Sequence, residues 1–119
     1  MAKYFKMEEF SCQYTGENKI KPEFVEDLDK LREACGFPFV ITSGYRSPSH
    51  PIEAKKKIAG QHSQGHAADI KVNNGIERYK LVQEAIRLGF TGIGVSSNFI
   101  HVDTRDLFDE SSPVMWTYS

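Results

Sequence analysis

The stretch Gly60-Gln61-His62-Ser63-Gln64-Gly65-His66-Ala67-Ala68-Asp69-Ile70 sets a histidine and a carboxylate, His62 and Asp69, seven positions apart with Gly65 between them. Thirty-two residues after Asp69 comes another histidine, His101, in Phe99-Ile100-His101-Val102-Asp103. Two imidazoles and one carboxylate are a ligand set that suits catalytic zinc, whose fourth position stays open for water. Each position also has an ordinary explanation. A single histidine is commonly a surface or satisfied core residue, and an aspartate at a strand edge often makes a turn. Residue types and spacing leave both readings open.

For the three side chains to meet, a loop and two strands must bring them together. Alternation over Ala67–Val72 predicts a strand with Ala68, Ile70 and Val72 on one face and Asp69 on the other. Gly65 lets the loop bearing His62 fold back toward that strand. Phe99–Asp103 predicts a second strand, with Ile100 and Val102 inward and His101 and Asp103 sharing the polar face. Asn73-Asn74-Gly75 is a turn, and Asn74 with Glu77 three residues on resembles a helix start. Ile76, Tyr79, Val82, Ala85 and Ile86 give the apolar stripe of a helix that stops at Gly89. Phe90–Val95 reads as a Gly-rich strand, and Ser96-Ser97-Asn98 as the turn after it.

Upstream, Phe24, Val25, Leu28, Leu31 and Cys35 recur at helical spacing over Pro22–Cys35, with Pro22 in the first turn and Gly36 as the stop. Phe37–Thr42 reads as a buried strand. Ser43-Gly44-Tyr45-Arg46-Ser47-Pro48 then turns out of it, a place that can present Arg46 to a pocket; a surface arginine is the alternative. Residues 1–20 read as a docking arm. The lysines of Glu53–Ala59 read as a solvated face on a short helix or loop. Leu107–Ser119 reads as an irregular tail pinned by Met115, Trp116 and Tyr118.

The bulk properties narrow the function classes. At 119 residues, 39% hydrophobic and 26% charged, the chain is expected to form one globular domain over 1–119 with a core that needs no metal to hold it up. A net charge of −1 offers no basic stripe for nucleic acid or an anionic membrane. No apolar run approaches the roughly 20 residues of a membrane span. Met1–Phe10 has no apolar segment of a signal peptide, so synthesis in the cytoplasm is expected, with reduced thiols at Cys12 and Cys35. Two small buried hydrophobes are the plain reading of that pair, and a disulfide the other.

Ser43-Gly44-Tyr45-Arg46, then His62-x-x-Gly65-x-Ala67-x-Asp69, then His101-Val102-Asp103 occur in that order. Together they resemble the zinc D-Ala-D-Ala carboxypeptidase family of peptidoglycan peptidases, and the resemblance runs from about Phe5 to Tyr118. Met7-Glu8-Glu9-Phe10-Ser11-Cys12 and the compact form look most like the phage-encoded, endolysin-type members. The resemblance implies one Zn²⁺ per chain on His62, Asp69 and His101, and Arg46 as the cation that meets the substrate carbonyl or carboxylate. It implies an α+β fold, in which a small antiparallel sheet carrying the zinc site packs against two main helices. The implied substrate is a peptidoglycan stem peptide, cut at a D-amino-acid bond by a carboxypeptidase or a cross-link endopeptidase that reaches the wall after release; a monomer is expected.

The sequence departs from part of that family at one position. Many members carry Asp or Glu three residues before the last histidine, and here stands Asn98, which cannot take a proton. Asp103 is the available substitute as general base; its other role is support, accepting a hydrogen bond that fixes a ligand or Arg105. His66 reads as solvent-facing rather than as a ligand or proton shuttle, and His50 as a loop residue. Two function classes stand: a zinc D,D-peptidase, and a non-catalytic zinc module that binds the wall or belongs to a virion.

Overall fold

The structure is a computed structural model that describes residues 3–50, 61–105 and 112–118; the lysine-bearing segment 53–59 and the first part of the tail lie outside them. Helix α1 spans Pro22–Cys35 and buries Phe24, Val25, Leu28, Leu31 and Cys35, the face that the 3–4 spacing of its apolar residues marks out. Pro22 occupies the first turn, and Gly36 closes the helix in the left-handed region at φ 78°. Helix α2 spans Gly75–Arg87. Its start is the one expected: Asn74 Oδ1 accepts from the Glu77 backbone N–H at 2.8 Å, which satisfies a donor that the first turn leaves unpaired.

The buried face of α2 differs from the expected stripe. Leu81, Glu84 and Ala85 are buried, while Ile76, Tyr79 and Ile86 are exposed. This helix carries apolar residues on two faces, and periodicity cannot say which one meets α1 and the sheet. Glu84 tolerates its burial because Arg87 pairs with it at 2.7 Å.

Five strands form one sheet in the order β1-β2-β4-β3-β5: β1 Ile41–Ser43, β2 Ala67–Lys71, β3 Gly92–Val95, β4 Phe99–Asp103 and β5 Val114–Thr117. All neighbours are antiparallel except β3 and β5, which are parallel. With helices α1 and α2 this is the expected α+β fold. The first strand is shorter than Phe37–Thr42: Phe37 and Phe39 pack into the core as loop residues, and the ladder begins only at Ile41. The tail is more regular than expected, since Val114–Thr117 pairs with β3 along its length.

Alternation divides the sheet cleanly. Ala68, Ile70, Ile93, Ile100 and Val102 enter the core with α1 and Leu81. The opposite face receives one continuous row, because Ser43 pairs with Asp69, Asp69 with His101, His101 with Gly94, and Gly94 with Trp116. Cys12 and Cys35 are both buried free thiols. No helix among the described residues is long and apolar enough to cross a membrane.

Candidate metal centre

His62, Asp69 and His101 meet, all three buried, on that second face. Asp69 and His101 are direct partners across the β2–β4 ladder. His62 arrives from the short 3-10 turn His62–Gln64, which Gly65 closes at φ 81°. Only glycine serves there: the left-handed backbone disfavours a side chain, and a Cβ would run into the Lys19 carbonyl. Lys21 N–H bonds the Gly65 carbonyl at 2.8 Å, which fastens the turn to the start of α1.

Each imidazole has its tautomer fixed by a partner that can only accept. His62 Nδ1–H donates to the Gly44 carbonyl at 2.7 Å, leaving the Nε2 lone pair to face inward. His101 Nε2–H donates to Asp103 Oδ2 at 2.7 Å, leaving Nδ1 to face inward. His101 Nδ1 lies 3.2 Å from His62 Nε2 and 3.0 Å from Asp69 Oδ1, and His62 Nε2 lies 3.3 Å from Asp69 Oδ1. With both histidines neutral, three electron-pair donors converge with no proton among them, an arrangement that calls for a cation. Ligands 2.0–2.1 Å from a tetrahedral Zn²⁺ stand about 3.3 Å apart, so these donors fit that ion.

The charges agree with the geometry. Burial opposes ionisation of Asp69, but hydrogen bonds and charge from His101 and His62 outweigh it and hold the carboxyl well below the usual range. Burial works against a charged His101 as well; its bonds to Asp103 and Asp69 prevail and raise it above the ordinary histidine value.

Arg46 stands at the rim of the cluster. Its Nη2 is 3.6 Å from Asp69 Oδ2, and its side chain is 18% exposed. Its backbone N–H bonds the His62 carbonyl at 3.2 Å, while His62 reaches back to Gly44. The β1 turn and the His62 turn thus hold each other, and together they keep the partly exposed guanidinium beside Asp69.

Asp103 sits behind His101, on the imidazole nitrogen turned away from the cluster, and is 0% exposed. Its Oδ1 accepts from the Arg105 backbone N–H at 3.1 Å and from Arg105 Nε at 2.9 Å. Its Oδ2 accepts from His101 Nε2 and from Arg105 Nη2, both at 2.7 Å. Four donors occupy the roughly four lone-pair sites of a carboxylate.

Residues 3–103 match the sequence pattern of the peptidase M15 family. The chain belongs to that family. Peptidase M15 members are zinc metallopeptidases, the zinc D-Ala-D-Ala carboxypeptidase family, and the cluster could bind the metal that this family uses. Among curated proteins, none matches the chain.

The other histidines stand apart from the cluster. His66 is half-buried and bonded to Gln61, with burial lowering its pKa. His50 meets Tyr14 edge-on at 5.9 Å between ring centroids. The tail, expected only to be pinned to the body, reaches the cluster: Trp116 packs on His101 with centroids 5.0 Å apart, and Tyr118 lies next to Trp116 and Phe99. The signal was the alternation of Val114, Trp116 and Tyr118, which a strand places on one face.

Proposed function

We propose that His62, Asp69 and His101 hold one Zn²⁺ and that the protein is a peptidase hydrolysing D-amino-acid peptide bonds of peptidoglycan stem peptides. The convergence of those three donors in a chain of the M15 family carries the reading. An ion bound there supplies Lewis-acid polarisation of the scissile carbonyl and a water acidified to a pKa of about 7.

The chain's own groups orient the ligands and bind the substrate. Gly44 and Asp103 orient the two imidazoles, so the ligand nitrogens need no rearrangement. Arg46 binds the substrate's carbonyl or terminal carboxylate at the rim, and it stabilises the oxyanion that develops on attack. Asp103 is the positioning group for His101 and not the proton acceptor, because its lone pairs are filled and the His101 ring separates it from the cluster. The enzyme acts as a monomer of one domain on the cell wall, and the Met7–Cys12 resemblance supports an endolysin-type role.

One observation favours a second reading. Asn98 stands where many relatives carry an acid, and the carboxylate of Asp103 is occupied, which suits a zinc module that binds the wall without cutting it. Digestion of purified peptidoglycan and soluble muropeptides by the zinc-loaded protein, read by mass spectrometry beside a chelated control, separates the two. Release of D-Ala or a split cross-link that vanishes on chelation is the expected result. Stoichiometric zinc without cleavage of any stem peptide would overturn the peptidase in favour of the binding module.

A further inference from the structure

We propose that Arg105 and Trp116 form a positioning device for the metal centre. Trp116, on edge strand β5, holds the Arg105 guanidinium so that it fills the Asp103 carboxylate, and Asp103 in turn fixes the His101 imidazole with Nδ1 toward His62 and Asp69. The inference rests on the reading of those three residues as the metal centre. Arg105 and β5 lie beyond the residues matched to the M15 family.

The contacts run without a gap. Arg105 grips Asp103 through Nε and Nη2, a two-pronged contact that fixes the plane of both groups. Its Cζ lies 5.0 Å from the Trp116 ring centroid, within reach of cation–π attraction. The same indole packs on His101 at 5.0 Å and 50°. Trp116 therefore touches both ends of the chain Arg105–Asp103–His101, and the Arg105 side chain is only 13% exposed.

The sheet is built to let these groups approach. Gly94 lies between His101 and Trp116 in the strand pairing, and a Cβ there would overlap the indole and the Tyr118 ring. Glycine weakens a strand interior, and close approach by another group is the usual reason it is found there. Removing the grip would take two of the four donors from Asp103, leaving the Arg105 backbone N–H and His101 itself to hold it, and the orientation of His101 would loosen. Ligands held by such outer partners typically lose 10–100-fold in metal affinity when the partner is removed.

The test compares the wild-type protein with Arg105→Lys, Trp116→Leu, Trp116→Tyr and Met115→Ala. Three readouts are used: zinc affinity by chelator competition, the visible absorption of the Co²⁺-substituted protein, and ¹⁵N NMR of the His101 ring without metal. Arg105→Lys keeps the charge but not the fork, and Trp116→Leu keeps bulk but not the ring. Both are expected to weaken zinc binding roughly 10–100-fold, to shift the Co²⁺ spectrum and to lose the single Nε2–H form of His101. Trp116→Tyr restores a ring and is expected to recover most of the affinity. Met115→Ala, on the opposite face of β5 and 49% exposed, is expected to behave as wild type.

Wild-type affinity and unchanged His101 signals in Arg105→Lys and Trp116→Leu would overturn the proposal. So would a loss in Met115→Ala as large as that in Trp116→Leu, which would make β5 a prop and nothing more. If Trp116→Leu does not fold, Arg105→Lys decides, since it touches no core packing. If the wild-type protein binds no zinc, the metal-centre reading fails, and the His101 ring signals still decide this one.

Discussion

Gly92 pairs with Asp103 across the β3–β4 ladder, and a methyl group on it would overlap the Asp103 carboxylate. The glycine provides the space in which that carboxylate lies flat on the sheet and meets His101 and Arg105. Gly92→Ala is expected to destabilise the protein by about 1–3 kcal/mol through overpacking. Urea unfolding of the metal-free protein checks it, and a midpoint equal to wild type would mean that Asp103 needs no such space.

His62→Ala and His101→Ala each remove one of the three donors and are expected to lose stoichiometric zinc, measured by equilibrium dialysis with metal analysis. Retention of one zinc per chain by either variant would show that the ligand set is wrong.

Arg46→Met removes the guanidinium from the rim and leaves the three donors in place. Zinc binding is expected to persist while turnover falls roughly 10²–10³-fold, as for loss of an oxyanion donor. Steady-state kinetics on a cleaved muropeptide read the rate, and a change confined to KM would assign Arg46 to ground-state binding alone.

Asp103→Asn distinguishes support from proton transfer. As a positioning group, Asp103 controls affinity, so zinc binding is expected to weaken roughly 10–100-fold, with turnover largely retained at saturating zinc. A general base would give the reverse, wild-type affinity with a rate lowered roughly 10²–10⁴-fold.

The metal-free protein should be most stable between the ordinary carboxylate and histidine values. Asp69 and Asp103 are depressed, so their contribution is complete above the unfolded value of 3.8 and is lost as pH falls toward their folded values. His101 is raised, so its contribution is complete below the unfolded value of 6.5 and is lost as pH rises through its folded value. Because a proton and the ion compete for His101 Nδ1, zinc affinity should rise over that same upper interval. Unfolding midpoints without metal, taken from acid to mildly alkaline pH, should trace this dome; stability that kept climbing above neutrality would contradict it.

Much of this molecule is local and so can be read from the chain. The α1 stripe, the Asn74 cap and the alternation that sets Asp69 and His101 apart from Ile70 and Ile100 each depend on residues within a turn or a strand of one another. The direction of α2 did not follow from its sequence, because Ile76, Tyr79 and Ile86 make as good a stripe as Leu81, Ala85 and Leu88; only packing against α1 and β4 selects the second.

The sequence alone determined which residues could bind a metal, and the ordered motifs around them determined the family. Which groups Asp103 touches was decided by tertiary structure, since its bonds to His101 and Arg105 depend on how the end of β4 and the Arg105 side chain fold together. The place of Trp116 was decided the same way. Its contact with His101 crosses Gly94 through a parallel pairing of β3 and β5, and no spacing along a chain specifies a neighbour that arrives from another strand.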